Sequence, residues 1–371
     1  MLKRFSVTNF KNFATKMVWD LGNHSNYEFN KIIIENDCIT KGMLFGINGS
    51  GKSNFGLALF DIVLHLTDKE KILPKYSLYL SLNSNKPSAD FEYEFIFNGN
   101  RVVYKYSKSD CLTLNYEMLF INDEEVLNYD FGRKKGYTTL QGAETLQLES
   151  TFDTAADKLS RVKYIRNNAI LSDTSINKAF IDFTNYVDKM LMFYSLDNRG
   201  YQGLKLGSES FTQGIINAGK IKEFEEFLRK HDIDYSLVSI DTNGIKEMYC
   251  KFPSGTVPFA SVASTGTMAL ALFYYWYINI SDASFVYIDE YDAFYHYELA
   301  QVLVELLKEI KGVQVFMSTH NTDLMSNDLL RPDAYFILHG NRIKSLEQST
   351  EKELRFAHNL QKMYKAGSFN E

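Results

Sequence analysis

Residues 46–53 read Gly46-Ile47-Asn48-Gly49-Ser50-Gly51-Lys52-Ser53, a fit to the pattern G-x-x-x-x-G-K-[ST]. The flanks decide what that fit is worth. The apolar Met43-Leu44-Phe45 precedes it and a largely apolar run to Leu66 follows, so strand, Gly-rich turn and helix come in the order a P-loop requires. Glycines let backbone N–H groups curl around phosphate oxygens, and the start of the following helix favours an anion. The expected nucleotide cradle is Gly46, Asn48, Gly49, Ser50, Gly51, Lys52, Ser53 and Asn54. In it, Lys52 reaches the β and γ phosphates of ATP and the Ser53 hydroxyl binds Mg²⁺.

Working outward, a P-loop needs acids at the end of a neighbouring strand, and Phe285-Val286-Tyr287-Ile288-Asp289-Glu290 supplies two. Asp289 is placed to hold Mg²⁺, and Glu290 to polarise the attacking water as general base. By itself such a motif is only a strand that exits into solvent. Its position downstream of the P-loop gives it meaning. One strand–helix unit later, "VQVFMSTH" ends in His320, an imidazole suited to hydrogen-bond the γ-phosphate.

Taken in order, these motifs resemble the ABC-type ATPase head of the branch that includes RecF, structural-maintenance-of-chromosomes (SMC) and OLD-type ATPases. Val7 to Phe13, "VTNFKNF", is similar to the opening strand of that branch. "YIDEYDAFYHYEL" (Tyr287 to Leu299) looks like its acidic strand and D-loop, with Asp292 and His296 in familiar places, and "STHN" like its switch-histidine motif. The ending "NLQKMYKAGSF" (Asn359 to Phe369) resembles the tail of small ATPases of bacterial and phage-defence operons, including the PARIS-type ATPase. The resemblance covers roughly residues 1–131 and 234–369 and leaves the middle uncovered.

The resemblance also gives a role to "SVASTGTMALAL" (Ser261 to Leu272), which by local rules is only a polar turn before a buried helix. "ASTGT" becomes the signature motif, whose Ser264 and Gly266 contact the γ-phosphate held by the other subunit's P-loop. A hydroxyl and a glycine N–H at a helix start suit that task. The motif departs from the commoner Ser-Gly-Gly or Ser-Ser-Gly form by placing Thr265 before the glycine. Asp292, at the D-loop position, joins the nucleotide-binding set on the same resemblance. Gln141 and Gln147 lie where a Q-loop glutamine belongs and read equally well as surface residues.

The expected fold is therefore α/β: a P-loop NTPase head of ABC type, with a mixed-sheet core, an antiparallel β subdomain and a helical insertion. Alternating runs around Asn98-Gly99, as in "FEYEFIFNGNRVVYKY", mark a hairpin in the subdomain. Phe180, Phe183, Val187, Met190, Leu191 and Tyr194 share a helical period, as do Ile221, Phe224, Phe227 and Leu228. The division that results is 1–135 for the first core lobe, 136–233 for the helical insertion and 234–371 for the second lobe. Residues 351–364 read as a terminal helix. Without sustained heptads the insertion is no coiled-coil arm.

Composition sets the remaining bounds. With 371 residues, 45% hydrophobic, the chain easily fills a core, and its formal net charge of -6 gives no general attraction to nucleic acid. Local basic runs, Arg133-Lys134-Lys135 and Lys158 to Arg166, are the candidates for a phosphate backbone. Cys38, Cys111 and Cys250 are too scattered for a zinc site or a disulfide framework. The start "MLKRFSVTNFKNF" lacks a signal-peptide core, and the apolar run Met268 to Tyr277 falls short of the roughly 20 residues a membrane span needs. A cytoplasmic protein with no membrane contact is expected.

The first functional reading is an ATP-hydrolysing switch that forms a homodimer or higher homo-oligomer through composite sites. Lys52, Ser53, Asp289, Glu290 and His320 come from one subunit, Ser264 and Gly266 from the next. No nuclease motif is evident, so an anti-phage role assigns the harmful step to a separate effector, a nuclease or toxin. The alternative is a RecF-like repair ATPase that contacts DNA directly. A scaffold that binds ATP without turnover and a transporter subunit are the remaining options.

Overall fold

The P-loop strand Lys41–Phe45 is buried at all five positions, as are Met190–Tyr194, Phe285–Asp289 and Gln314–Thr319. Strands covered on both faces read as continuous apolar runs, and parallel sheets are built from them. In the computed structural model, which describes residues 1–69, 73–146, 148, 159–194, 200–203, 210–242 and 244–369, these strands form one sheet. Its order is Gly200–Gly203, Met190–Tyr194, Phe285–Asp289, Gln314–Thr319, Lys41–Phe45, Tyr335–His339, Arg342–Ser345. The five inner strands run parallel and each edge strand is antiparallel to its neighbour.

A second seven-stranded sheet is antiparallel throughout, in the order Lys135–Thr138, Glu124–Asp130, Leu114–Ile121, Asn100–Lys108, Ala89–Phe97, Leu2–Thr8, Met17–Asp20. The Asn98-Gly99 turn takes φ values of 49° and 80°, left-handed at both positions, as a tight two-residue hairpin requires. A three-stranded sheet, Leu237–Thr242, Ile245–Phe252 and Gly255–Pro258, precedes the signature turn.

The helix that starts at the P-loop, Lys52–Leu59, lies between the two large sheets. Phe55 packs edge-on against Phe5 and Trp19 from the antiparallel sheet and against Tyr287 from the parallel one, with ring centroids 5.1–6.1 Å apart. Gly56 lets this helix press onto the parallel sheet. A Cβ there would sit 2.5 Å from Met192 Cε and 2.7 Å from Tyr287 Cε1, closer than packing allows. Aromatic pairs thus lock the phosphate loop to the acidic strand.

Three expectations need correction. The shared period from Phe180 to Tyr194 is not one helix: Ser175–Asp188 is helical, and Met190–Tyr194 is a strand beside Phe285–Asp289. A short, wholly buried apolar run satisfies either periodicity, so spacing could not separate them. The stretch 136–233 does hold the helices Arg161–Asn168, Ser175–Asp188, Phe211–Asn217 and Ile221–Arg229, yet it also gives two strands to the core sheet. At the other end, helix is limited to Leu360–Lys365. Before it the backbone is irregular, and the Asn327 side-chain amide donates to the carbonyls of Arg355, Phe356 and His358 at 3.1 Å each. Those bonds replace the helical ones the segment forgoes.

Candidate nucleotide site

Three parallel neighbours, Lys41–Phe45, Gln314–Thr319 and Phe285–Asp289, end side by side. Their C-terminal ends bring the P-loop, His320 and the two acids together, at the edge where open α/β sheets place ligands. Lys52, 4% exposed, donates from Nζ to the Gly46 carbonyl at 2.9 Å and lies 3.3 Å from Glu290 Oε1. The other Glu290 oxygen meets His320 Nδ1 at 3.2 Å, and the His320 ring is largely exposed. Tyr287 donates to the Lys52 carbonyl at 3.2 Å, which fixes the first turn of the helix to the acidic strand.

Asp289 ends its strand almost wholly buried. Burial raises its carboxyl above the usual range, opposed by hydrogen bonds from Ser318 and Ser53 and by the Lys52 charge, while neighbouring Glu290 raises it further. Glu290 leaves the strand with φ 49°, a left-handed backbone that costs a non-glycine residue about 1–3 kcal/mol. That turn directs its carboxylate to Lys52 and His320 while Asp289 stays with Ser53.

The loop fits a phosphate chain on its own geometry. A side chain at Gly46 would strike Ser50 Oγ at 2.5 Å and approach the Leu338 carbonyl at 3.0 Å. Gly51, with φ 104°, leaves room for Asn12, whose amide would lie 2.3 Å from a Cβ there. Asn12 reaches the Ser50 carbonyl at 3.4 Å and accepts from Asn54 at 2.8 Å. Asn54 thus braces the loop through Asn12, a residue the sequence reading passed over because no motif singles it out. The Ser50 hydroxyl is buried with no hydrogen-bond partner among the described residues, a donor poised for an anion. Ser53 beside buried Asp289 gives the hard oxygen pair that Mg²⁺ takes.

Ser264 and Gly266 are not brought to this P-loop by any hydrogen bond or ion pair among the described residues. Ser264 caps the helix Thr265–Tyr277, its hydroxyl accepting from Thr267 N at 3.1 Å. Gly266 abuts the D-loop segment: a Cβ there would lie 3.2 Å from the Phe294 carbonyl. Asp292 Oδ1 on that segment is buried without a partner among the described residues. His296 precedes the helix Tyr297–Lys308 as its N-cap residue and makes no side-chain cap bond. Gln141 has an exposed side chain, and its carbonyl accepts from Ser172 N and from the Asn177 amide. Gln147 lies outside the described residues.

The basic runs are largely spoken for. Arg161 is buried, with its guanidinium 4.2 Å from the Tyr129 ring centroid, and Lys163 is buried against Asp68. Arg166 pairs with Asp188, and Arg133 with Asp130, both at 3.6 Å. Lys158 lies outside the described residues. No helix among the described residues is long and apolar enough to cross a membrane.

The fold has counterparts among solved structures. An SMC head bound to the C-winged helix domain of ScpA is similar over 94% of this chain and 99% of its own, at 18% identity and TM-score 0.51. An SMC head domain from Thermotoga maritima covers 92% of this chain and 97% of its own, at 16% identity and TM-score 0.44. No curated protein matches. The family described as "AAA domain, putative AbiEii toxin, Type IV TA system" matches residues 43–326. That span takes in residues 46–53, 261–272, 285–290 and 320, so the chain belongs to this AbiEii-type AAA family, and its fold is that of an SMC-like head.

Proposed function

We propose that this protein is an ATP-hydrolysing switch that closes as a head-to-tail dimer, or a higher oligomer built on it, and relays its nucleotide state to a separate effector. The observation that carries the reading is the convergence of Lys52, Ser53, Asp289, Glu290 and His320 at one sheet edge behind a glycine cradle. Lys52 neutralises phosphate charge, which draws it from Glu290. Glu290, released from that ion pair, orients a water for attack on the terminal phosphate, and His320 hydrogen-bonds the phosphate that leaves. Ser53 and Asp289 would hold Mg²⁺, which would supply further neutralisation of phosphate charge.

Ser264 and Gly266 are assigned to the phosphate held by a second copy on the strength of the family resemblance. A capped helix start and an unpartnered Asp292 oxygen suit that face. ATP that binds the closed dimer better than the open monomer shifts assembly toward it. The family description as a putative toxin of a type IV system supports a role in defence, and an SMC head bound to the C-winged helix domain of ScpA is a precedent for such a head holding a partner protein. A cytoplasmic setting goes with that role. The RecF-like alternative is disfavoured because Arg161 and Lys163 are buried and Arg133 and Arg166 pair with acids of the same chain.

The test is phosphate release and molar mass by light scattering, with and without ATP and Mg²⁺. Mg²⁺-dependent release and a dimer that persists in Glu290→Gln with ATP are expected. No release and no ATP-dependent change of mass would remove the proposal.

A further inference from the structure

We propose that Ser318 is a positioning residue that sets both carboxylates of the nucleotide site through one hydroxyl, an inference that rests on the nucleotide reading above. Ser318 is fully buried on the strand Gln314–Thr319, two residues before His320. Its Oγ donates to Asp289 Oδ1 at 2.6 Å and accepts from the backbone N–H of Glu290 at 2.8 Å. Its carbonyl accepts from Tyr291 N at 3.1 Å. A serine hydroxyl has one proton to give and lone pairs to receive, so the two Oγ bonds use it without conflict.

The consequence lies in the direction of the chain. Asp289 still belongs to the strand, whereas Glu290 turns left-handed, a conformation that persists only where its surroundings hold it. Ser318 holds the peptide at that turn. The same atom keeps Asp289 from rotating away from Ser53, and so separates one acid for the metal from one for water. Since His320 follows on the same strand, a shift there moves the Asp289 and Glu290 settings together. Hydrogen bonds to a carboxylate that holds a metal typically govern metal affinity or rate by about 10–100-fold.

The experiment compares Ser318→Thr with Ser318→Val in the full chain. Both add the same bulk at a fully buried site, and only threonine keeps the hydroxyl, so any folding strain is shared. Binding of a fluorescent ATP analogue is titrated in EDTA and then against Mg²⁺, alongside phosphate release. In EDTA the two variants should bind the analogue within about twofold of each other. Ser318→Val should need about tenfold more Mg²⁺ for half-saturation and lose about 10–100-fold in kcat, with KM for ATP little changed. Ser318→Thr should retain both.

Equal Mg²⁺ half-saturation in the two variants would overturn the proposal. So would a loss of EDTA binding confined to valine, since Ser318 would then support the whole site and not its carboxylates. If the unmodified chain releases no phosphate, the hydrolytic reading falls, while the Mg²⁺ titration still decides the role of Ser318.

Discussion

Lys52 and Lys108 are both buried lysines opposite a carboxylate, and they do different things. Lys108 lies 2.7 Å from Asp61 Oδ1, with both side chains fully buried. Asp61 also accepts from Tyr79 and Tyr106 at 2.9 Å each. That network is closed on every side by protein and ties the helix Asp61–Leu66 to the antiparallel sheet. Lys52 pairs instead with Glu290, whose backbone is held left-handed and whose second oxygen turns to an exposed His320. The first pair is satisfied on every side. The second, in the proposed mechanism, exchanges its partner for a phosphate.

The comparison breaks most sharply at Glu290. Glu290→Gln should lower phosphate release by about 100–10,000-fold and cost less stability than the loss of Asp61, because the glutamine amide oxygen still accepts from Lys52. Asp61→Ala should do the reverse. It strands a buried ammonium, so denaturant titration should show a loss of about 3–5 kcal/mol, with near-normal turnover in the fraction that folds.

Lys41 sharpens the contrast further. It is buried on the P-loop strand, donates to the Val313 carbonyl at 2.8 Å, and has no carboxylate within ion-pair distance among the described residues. Burial lowers its pKa from 10.5 to about 8, with Glu35 opposing the shift. The unfolded chain then binds more protons between those values, so stability due to this group rises as pH climbs from about 8 to 10.5. The stability difference between Lys41→Met and the parent should therefore move in the parent's favour across that window, by at most about 3 kcal/mol. The smallest effect is expected at His320. His320→Ala removes one hydrogen bond at an exposed position and should slow hydrolysis about tenfold while nucleotide binding is kept.

What was legible in the sequence was whatever local chemistry dictates. A glycine loop between strand and helix, an apolar strand that ends in acids and an Asn-Gly turn each mark their local backbone, and each lies in the kind of element expected. Met190–Tyr194 was not legible as a strand, because its pairing with Phe285–Asp289 spans about a hundred residues of chain and leaves no local mark. Asn12 and Ser318 escaped for a related reason. Each acts on a residue distant in sequence, Asn12 on Ser50 and Ser318 on Asp289, through a side chain that any surface loop or strand could carry. The left-handed turn at Glu290 is likewise invisible until the neighbouring strand is in place.

The central claim is that one ATP site is shared between two copies, and mixing two inactive chains tests it directly. Gly266→Glu damages only the signature half, and Glu290→Gln only the hydrolytic half. In a head-to-tail pair, the intact Glu290 of the first faces the intact signature turn of the second. Each alone should be inactive, and an equal mixture should recover about a quarter of the parent rate, from half the pairs being mixed with one complete site of two. Phosphate release that stays at the level of the separate variants at every mixing ratio would contradict the shared site.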